Sequence, residues 1–484
     1  MRNALAPINR APPEVLSLIP GYREDGDRDE ASIKLTHVCR YWRQIFVSCP
    51  SLWTRLDCKN VEKTRVCIER SKNSPLEIHL DGRGAIGHHE EVLLLAVPHV
   101  KALSVSNCHS RHSTVVLQTL VEHFSRPVPL LEKLKIDLAC YSTRTLPDTL
   151  FGGDLSSLRE LSLAGVLMPT SWGSLENLTT FNLSNITRRE TLLTCLLGLF
   201  ESATRLHDIR LRYSIPDDSN VPPKRIVFLP NLKKLEVVTD TPNSVLLDHL
   251  SIPSGASVVL KSTSWGHSPI APQIPATLDN LHNLSYITTV NIFFGSFWRA
   301  IQFGGPSGEL YTRGKSGGGN TVATTGTAEL LPFLNRFDTS RCQHLGFTLE
   351  GSVPGPPARI VDSLPYRLLH PMDDLRTLTL IDTDNLLLAL DPDNNPDKIV
   401  LCPKLEEITF YINNLSMFHF NKLFRMAEER ASRDAKLSTI TIISRSTISS
   451  PLGVLELGKH VSRVDRKVGD RRALPGHGRF ENDS

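Results

Sequence analysis

The sequence lacks a long apolar run. Its greasiest stretch, Leu192 to Phe200, is interrupted by Thr194 and Gly198 and is far too short to cross a bilayer. The start, Met1 to Glu14, has no apolar core of a secretory leader. The expectation is a cytosolic or nuclear chain with no membrane partner. Charge of one sign is also lacking: 54 basic against 51 acidic residues leave +3. No long-range field then draws nucleic acid. Aromatics are 6% and do not interleave with basic patches as a stacking platform would. The basic surplus gathers at Arg463, Arg466, Lys467, Arg471 and Arg472 and reads as a solvated tail, with a nuclear-import signal as the other reading. The nine cysteines include no C-x-x-C pair, and their odd number fits reduced thiols.

Signatures of chemistry are equally scarce. No G-x-S-x-G elbow occurs. The stretch from Gly308 to Gly314-Lys315-Ser316 has five residues between its glycines where a phosphate loop needs four, and Gly317-Gly318-Gly319 cannot open a helix behind it. Asp391-Pro392-Asp393-Asn394-Asn395 starts like a calcium loop but puts Pro396 at the glycine position and Cys402 at the closing glutamate, so it reads as a turn. Cys108 with His109 and His112, and His88-His89-Glu90, lack zinc-site spacing. Cys49, Cys58 and Cys67 read as buried thiols. The expectation is no catalysis, no cofactor and no metal.

What the sequence does hold is periodicity. Leu35, Val38, Cys39, Trp42, Ile45 and Phe46 recur at steps of three and four, which predicts one amphipathic helix with Ser32 as its N-cap and Pro50 beyond its end. The charged stretch 21–30 before it predicts a loop. From about residue 76, apolar residues fall at positions 1, 4 and 6 of a recurring unit. Examples are Val100-Leu103-Val105, Leu131-Leu134-Ile136, Leu158-Leu161-Leu163, Leu178-Phe181-Leu183 and Leu206-Ile209-Leu211. Leu232-Leu235-Val237, Leu375-Leu378-Leu380, Leu405-Ile408-Phe410 and Leu437-Ile440-Ile442 continue it, at spacings within each block from 20 to 32 residues. Several units come after a proline, as at Pro98, Pro129, Pro230 and Pro403. The last two apolar positions alternate with polar ones, as in a short strand with one buried face. Such units stack by strands and helices into an array, which overrules the three domains that 484 residues would otherwise suggest.

The pattern L-x-x-L-x-L-x-x-N/C resembles the leucine-rich repeat, although only Cys108 and Asn413 fill its last position. The segment Ile8 to Ile19 looks like the first helix of an F-box. Leu35 to Ser48, running into Cys49-Pro50-Ser51-Leu52-Trp53-Thr54-Arg55-Leu56, looks like its second part. The V-C-R-x-W-R…P-x-L-W-x-x-L string, with Ile68-Glu69-Arg70-Ser71 and Ser74-Pro75-Leu76 after it, is similar to F-box-like proteins abundant in fungi. That resemblance covers about residues 8 to 80. It implies docking to a Skp-type adaptor of a cullin–RING (SCF-type) ubiquitin ligase, with the repeats holding a protein substrate. It implies adaptor contacts from Pro12, Pro13, Glu14, Val15, Leu16 and Ile19, and from Leu35, Val38, Cys39, Trp42 and Ile45. Of these, Leu16, Ile19, Trp42 and Ile45 would be shared between the module's own core and the partner. The family has Leu-Pro where this chain has Ala11-Pro12, and an apolar residue where it has Pro20. Those departures support a second reading, a repeat scaffold with a degenerate F-box and no ligase role. A third reading, an NTP-dependent or hydrolytic activity, would sit in the Gly-rich segment 303–320.

The expected fold is α/β: a small three-helix F-box-like module over residues 5–57, then an irregular leucine-rich-repeat-type solenoid of short parallel strands alternating with helices. Its first part spans 58–250 and its second 341–458. Between them lies an irregular region, 251–340, with a flexible Gly/Ser-rich insertion, and residues 459–484 form a flexible basic tail. The polar residues between the repeat leucines, such as Lys135, Asn182, Arg210, Glu236 and Thr379, are candidates for the substrate face or for plain solvated strand surface.

Overall fold

The computed structural model describes residues 7–19, 33–81, 96–106, 118, 120–138, 145–169, 172, 175–186, 192–213, 225–239, 245–263, 274–275, 277–295, 298–315, 330–349, 363–381, 385–393, 398–412, 417–444 and 455–468. Pro20, the charged stretch 21–30, Ser32, the Cys108 and His88 groups, Asn413 and the basic residues Arg471 and Arg472 lie outside them. The fold is mixed α/β with mostly parallel strands. Two compact units divide the chain, Met1–Pro222 and Pro223–Ser484.

The first unit opens with helices α1 (Pro13–Leu18) and α2 (Arg40–Ser48), with residues 33–35 also helical between them. Seven parallel strands come next in chain order: β1 (Arg55–Asp57), β2 (Leu76–Asp81), β3 (Val100–Ser106), β4 (Lys133–Asp137), β5 (Glu160–Ala164), β6 (Thr180–Ser184) and β7 (Asp208–Arg212). Helix α3 (Val61–Ser71) joins the first two strands and α4 (Leu192–Ser202) the last two. The register stacks the repeat leucines into rows. Leu103, Leu134, Leu161, Phe181 and Ile209 pair in sequence, as do Val105, Ile136, Leu163, Leu183 and Leu211, and all are buried. Phe200 of α4 meets Phe181 edge-on at 6.1 Å, so this helix covers the apolar face.

A feature absent from the expected pattern explains how each unit turns into its strand. The first leucine of a unit donates its backbone N–H to a carbonyl three residues earlier: Leu131 to Val128 (3.0 Å), Leu158 to Leu155 (2.9 Å), Leu178 to Leu175 (3.0 Å) and Leu206 to Ala203 (3.2 Å). The accepting residue is apolar and buried each time. The next N–H reaches the preceding unit, as Arg159 does to Glu132 O (2.8 Å) and Thr179 to Arg159 O (2.8 Å). These backbone bonds satisfy polar groups at the turn that leads into each strand.

In the second unit the sheet order is β9 (Lys234–Thr239), β11 (Ala256–Ser262), β14 (Gly308–Lys315), β13 (Trp298–Gly305), β12 (Thr289–Phe294), β15 (His344–Leu349), β16 (Thr377–Ile381), β17 (Glu407–Ile412), β18 (Thr439–Ser444) and β19 (Arg463–Val468). A separate pair joins β8 (Val227–Phe228) and β10 (Leu250–Ser251). Only β13, of the described strands in this sheet, runs against the rest. Helices α5 (Ser363–Leu369), α6 (Asn385–Leu390) and α7 (Met417–Ser432) lie in the connections after β15, β16 and β17.

Several expectations are corrected here. The break near residue 250 is displaced, because β9 pairs in register with β11 and so belongs to the second unit. The irregular region 251–340 contains four strands, and two repeat units in or beside it went unread: Ile287-Val290-Ile292 and Cys342-Leu345-Phe347. Residues 303–315 are not a flexible insertion but most of an antiparallel ladder, and a phosphate loop cannot form from a paired strand. The tail begins later than 459, since Arg463–Val468 pairs with β18. Asp391 Oδ1 accepts from the Asp393 N–H at 3.1 Å, an ordinary Asp turn.

Arg430 of α7 is fully buried and donates to the carbonyls of Leu401 (2.7 Å) and Cys402 (2.9 Å), just ahead of β17. Burial pushes its pKa down to about 10, so it keeps its charge at neutral pH. Arg430→Met removes two charge-assisted bonds while relieving a desolvation cost, and should lower stability by about 2–3 kcal/mol. A urea midpoint shift with unchanged slope would show it; an unshifted midpoint would mean the turn holds without the guanidinium.

Candidate functional site

The N-terminal helices make a cluster of their own. Leu16, Trp42, Ile45 and Phe46 are buried together, and Ala11, Ile19, Leu35, Cys39 and Leu52 pack against them half-buried. The rings of Trp42 and Phe46 meet edge-on at 5.5 Å. The expected single helix from Leu35 to Phe46 is broken. Cys39 is extended, and its sulfur accepts the Trp42 N–H as the N-cap of α2, while Leu35 and Val38 belong to the preceding turn. Arg43 Nε bonds back to Thr36 O at 3.0 Å and holds that break in place. Trp53 ties the cluster to α3: its Nε1 donates to Phe46 O (2.9 Å), and the Arg70 guanidinium of α3 lies 4.4 Å over its ring.

This sorts the implied adaptor contacts into three classes. Leu16, Trp42 and Ile45 are 0%, 7% and 8% exposed and fill the module's interior, so they are not a shared docking surface. Ile19, Leu35 and Cys39 are half-buried against them. Pro12, Pro13, Glu14, Val15 and Val38 face solvent. Two residues the periodicity did not single out join them, Leu18 and Tyr41. Five of the twelve exposed large apolar side chains among the described residues sit here: Ile8, Val15, Leu18, Val38 and Tyr41. Scattered exposed apolar residues need no explanation, but this concentration in so short a segment makes it a candidate interaction surface. The signal for Leu18 was its place three residues after Val15, on the same side of a helix. Ala11 packs inward, so the small residue there reduces core contact rather than exposed area.

A second surface lies on the polar face of the first unit's sheet. A groove of about 700 Å³ crosses β1 to β6. Its lower row is charged and self-neutralising: Arg55 pairs with Glu77 (3.5 Å) and Lys133 with Glu160 (2.7 Å). Its upper row is in strict register, His79 to Ser104 to Lys135 to Ser162 to Asn182, and on to Arg210. Arg210 is held by Asp208 (2.9 Å), and Asp57 by Lys59 (2.8 Å). Lys135 has no ion pair among the described residues, and Asn182 Oδ1 is buried without a partner. Of the polar residues named from the sequence, Lys135 and Asn182 therefore line the groove. In the second unit Glu236 is buried near Lys234, and Thr379 pairs in register with Gly346 and Thr409.

Of the described thiols, Cys58, Cys67, Cys342 and Cys402 are buried, while Cys49, expected to be buried, is partly exposed. Burial pushes Cys58, Cys342 and Cys402 each up to about 12, far from the thiolate form at neutral pH. Among the described residues no group of three or more His, Cys, Asp or Glu side chains could hold a metal, and no helix is long and apolar enough to cross a membrane. Comparison with protein-family models and with curated proteins returns no match.

Proposed function

We propose that the chain is a substrate-recognition adaptor of a cullin–RING ubiquitin ligase, its N-terminal module docking to a Skp-type adaptor and its repeats binding a protein substrate. The observation that carries this reading is the N-terminal cluster. It closes its own small core around Trp42 and still leaves Val15, Leu18, Val38 and Tyr41 in water. A module this small gains from covering such residues with a partner. The polar groove on the strands behind it supplies a second, separate contact surface. The resemblance of residues 8–80 to an F-box and of the strand units to a leucine-rich repeat fits that division of labour. Ubiquitin transfer would belong to the partners, so the chain itself needs no catalytic group.

Capture of a purified Skp-type adaptor tests this. The variant Val15→Asp/Leu18→Asp/Val38→Asp should keep the thermal midpoint and lose at least a hundredfold in affinity, because charge replaces apolar contact at the centre of the docking surface. Undiminished capture would place the contact elsewhere. Absence of capture by the intact folded chain would leave the repeat scaffold as the function.

A further inference from the structure

Resting on the reading of the repeats as a substrate-holding surface, we infer that the groove on the first unit recognises an extended acidic protein segment through a single carboxylate seated on Lys135. The charge pattern carries the inference. The flanking cations Arg55 and Lys133 are each spent on a carboxylate, Glu77 and Glu160. Lys135 is not, and stands in the middle of the upper row. On either side of it the register places Ser104 and Ser162, hydroxyls able to donate to an anion, while Asn182 one strand further has an unsatisfied amide oxygen that can accept from a backbone N–H of the segment. A cation flanked by donors, over a row already neutral, complements one negative charge.

The charge count also selects the anion. A phosphorylated side chain brings about −1.5 to −2 at neutral pH. One free lysine does not balance that, and Glu77 and Glu160 beside it would repel the excess. A glutamate or aspartate brings −1, which Lys135 matches. The dimensions suit an extended segment laid across the strands: six neighbouring strands span about 24 Å, or about seven residues of extended chain.

Selection from a random heptapeptide library by the full chain tests this, with Lys135→Glu selected in parallel. The intact chain should enrich peptides with one Asp or Glu at a fixed position. Lys135→Glu should lose that preference and bind the enriched peptides at least tenfold more weakly, while a neutral Lys135→Met falls between. Its side chain is on an open strand face, so both variants should melt with the parent. Indifference of the intact chain to acidic residues would overturn the proposal, as would identical selections by the parent and Lys135→Glu. Tighter binding of the phosphoserine version of an enriched peptide than of its glutamate form would overturn the choice of carboxylate. Skp-type adaptor capture, measured on the same proteins, keeps the two proposals apart: it should be unchanged by Lys135→Glu, and its loss in the N-terminal variant should leave peptide selection intact.

Discussion

Trp42→Ala should cost the N-terminal cluster about 3–5 kcal/mol, the range for deleting a large buried aromatic. The cluster has four buried members, and Trp42 is the largest. Its removal also ends the edge-on contact with Phe46 at 5.5 Å. Nothing adjacent can collapse into the gap cheaply, since Phe46 is already held by the bond from Trp53 Nε1 to its carbonyl. Whole domains are stable by only about 5–15 kcal/mol, so a loss of this size unfolds the module rather than softening it. The expected signature is rapid hydrogen exchange over residues 33–48, while the strands of the first unit stay protected. Adaptor capture would fall too, but as a consequence of unfolding. A charged replacement of Trp42 and Ile45 therefore cannot serve as a test of docking. The surface variant at Val15, Leu18 and Val38 can, because it changes contact without touching the core. Trp42→Ala with unchanged exchange over residues 33–48 would show that the cluster is held by something other than its own interior.

The resemblance implies a shared surface at Trp42, and periodicity does not contradict it, for a physical reason. A step of three and four finds the apolar face of a helix, but it does not say whether that face meets its own module or a partner. The same periodicity runs from Leu35 to Phe46 straight through Cys39, because a residue can keep the apolar rhythm while its backbone is extended. A sulfur N-cap is a weak signal in sequence, where Ser, Thr, Asp and Asn are the usual markers. The sheet was more legible. The positions Leu131-Leu134-Ile136 and their counterparts became the buried rows, because period two on a strand admits only one inner face. The unit at Ile287 has no leucine at any of its three positions and the unit at Cys342 opens on a cysteine, whereas every unit legible in the sequence opens on Leu or Val and keeps at least one leucine. The groove was half legible: Lys135 and Asn182 follow from strand alternation, but the exhaustion of Arg55 and Lys133 by ion pairs depends on register between strands. Register is a property of the folded sheet.

The Gly-rich segment reads as flexible by composition and is paired by structure, and its glycines say why. Gly308 has φ of 125°, which disfavours any side chain, and a Cβ there would run into the Ala256 carbonyl oxygen and lie 3.0 Å from Asn283 Cβ. At Gly305 a Cβ would meet the Tyr286 carbonyl oxygen, a backbone atom that cannot rotate away. The strand ends that flank this Pro306-Ser307 turn thus pass close to β11 and to the segment before β12, and at Gly305 and Gly308 only a backbone without a side chain fits. Gly308→Ala should cost about 3–5 kcal/mol, combining a strained backbone with overpacking against fixed atoms. Gly305→Ala should cost a similar amount by the clash alone. Gly198→Ala is the control. It lies in α4 with nothing within 4 Å of its added Cβ, and should gain about 0.5–1 kcal/mol from reduced chain entropy. Urea unfolding of the three variants separates the readings. If Gly308→Ala and Gly305→Ala unfold at the parent midpoint, the hairpin is not inserted between β11 and β12, and the Gly-rich segment is the loose loop its composition suggests. If both fall by the expected amount while Gly198→Ala rises, glycine here provides clearance for the chain. The third reading of the sequence, a nucleotide or hydrolytic site in this segment, would then have no loop in which to form within residues 303–315; residues 316–320 lie outside the described ones.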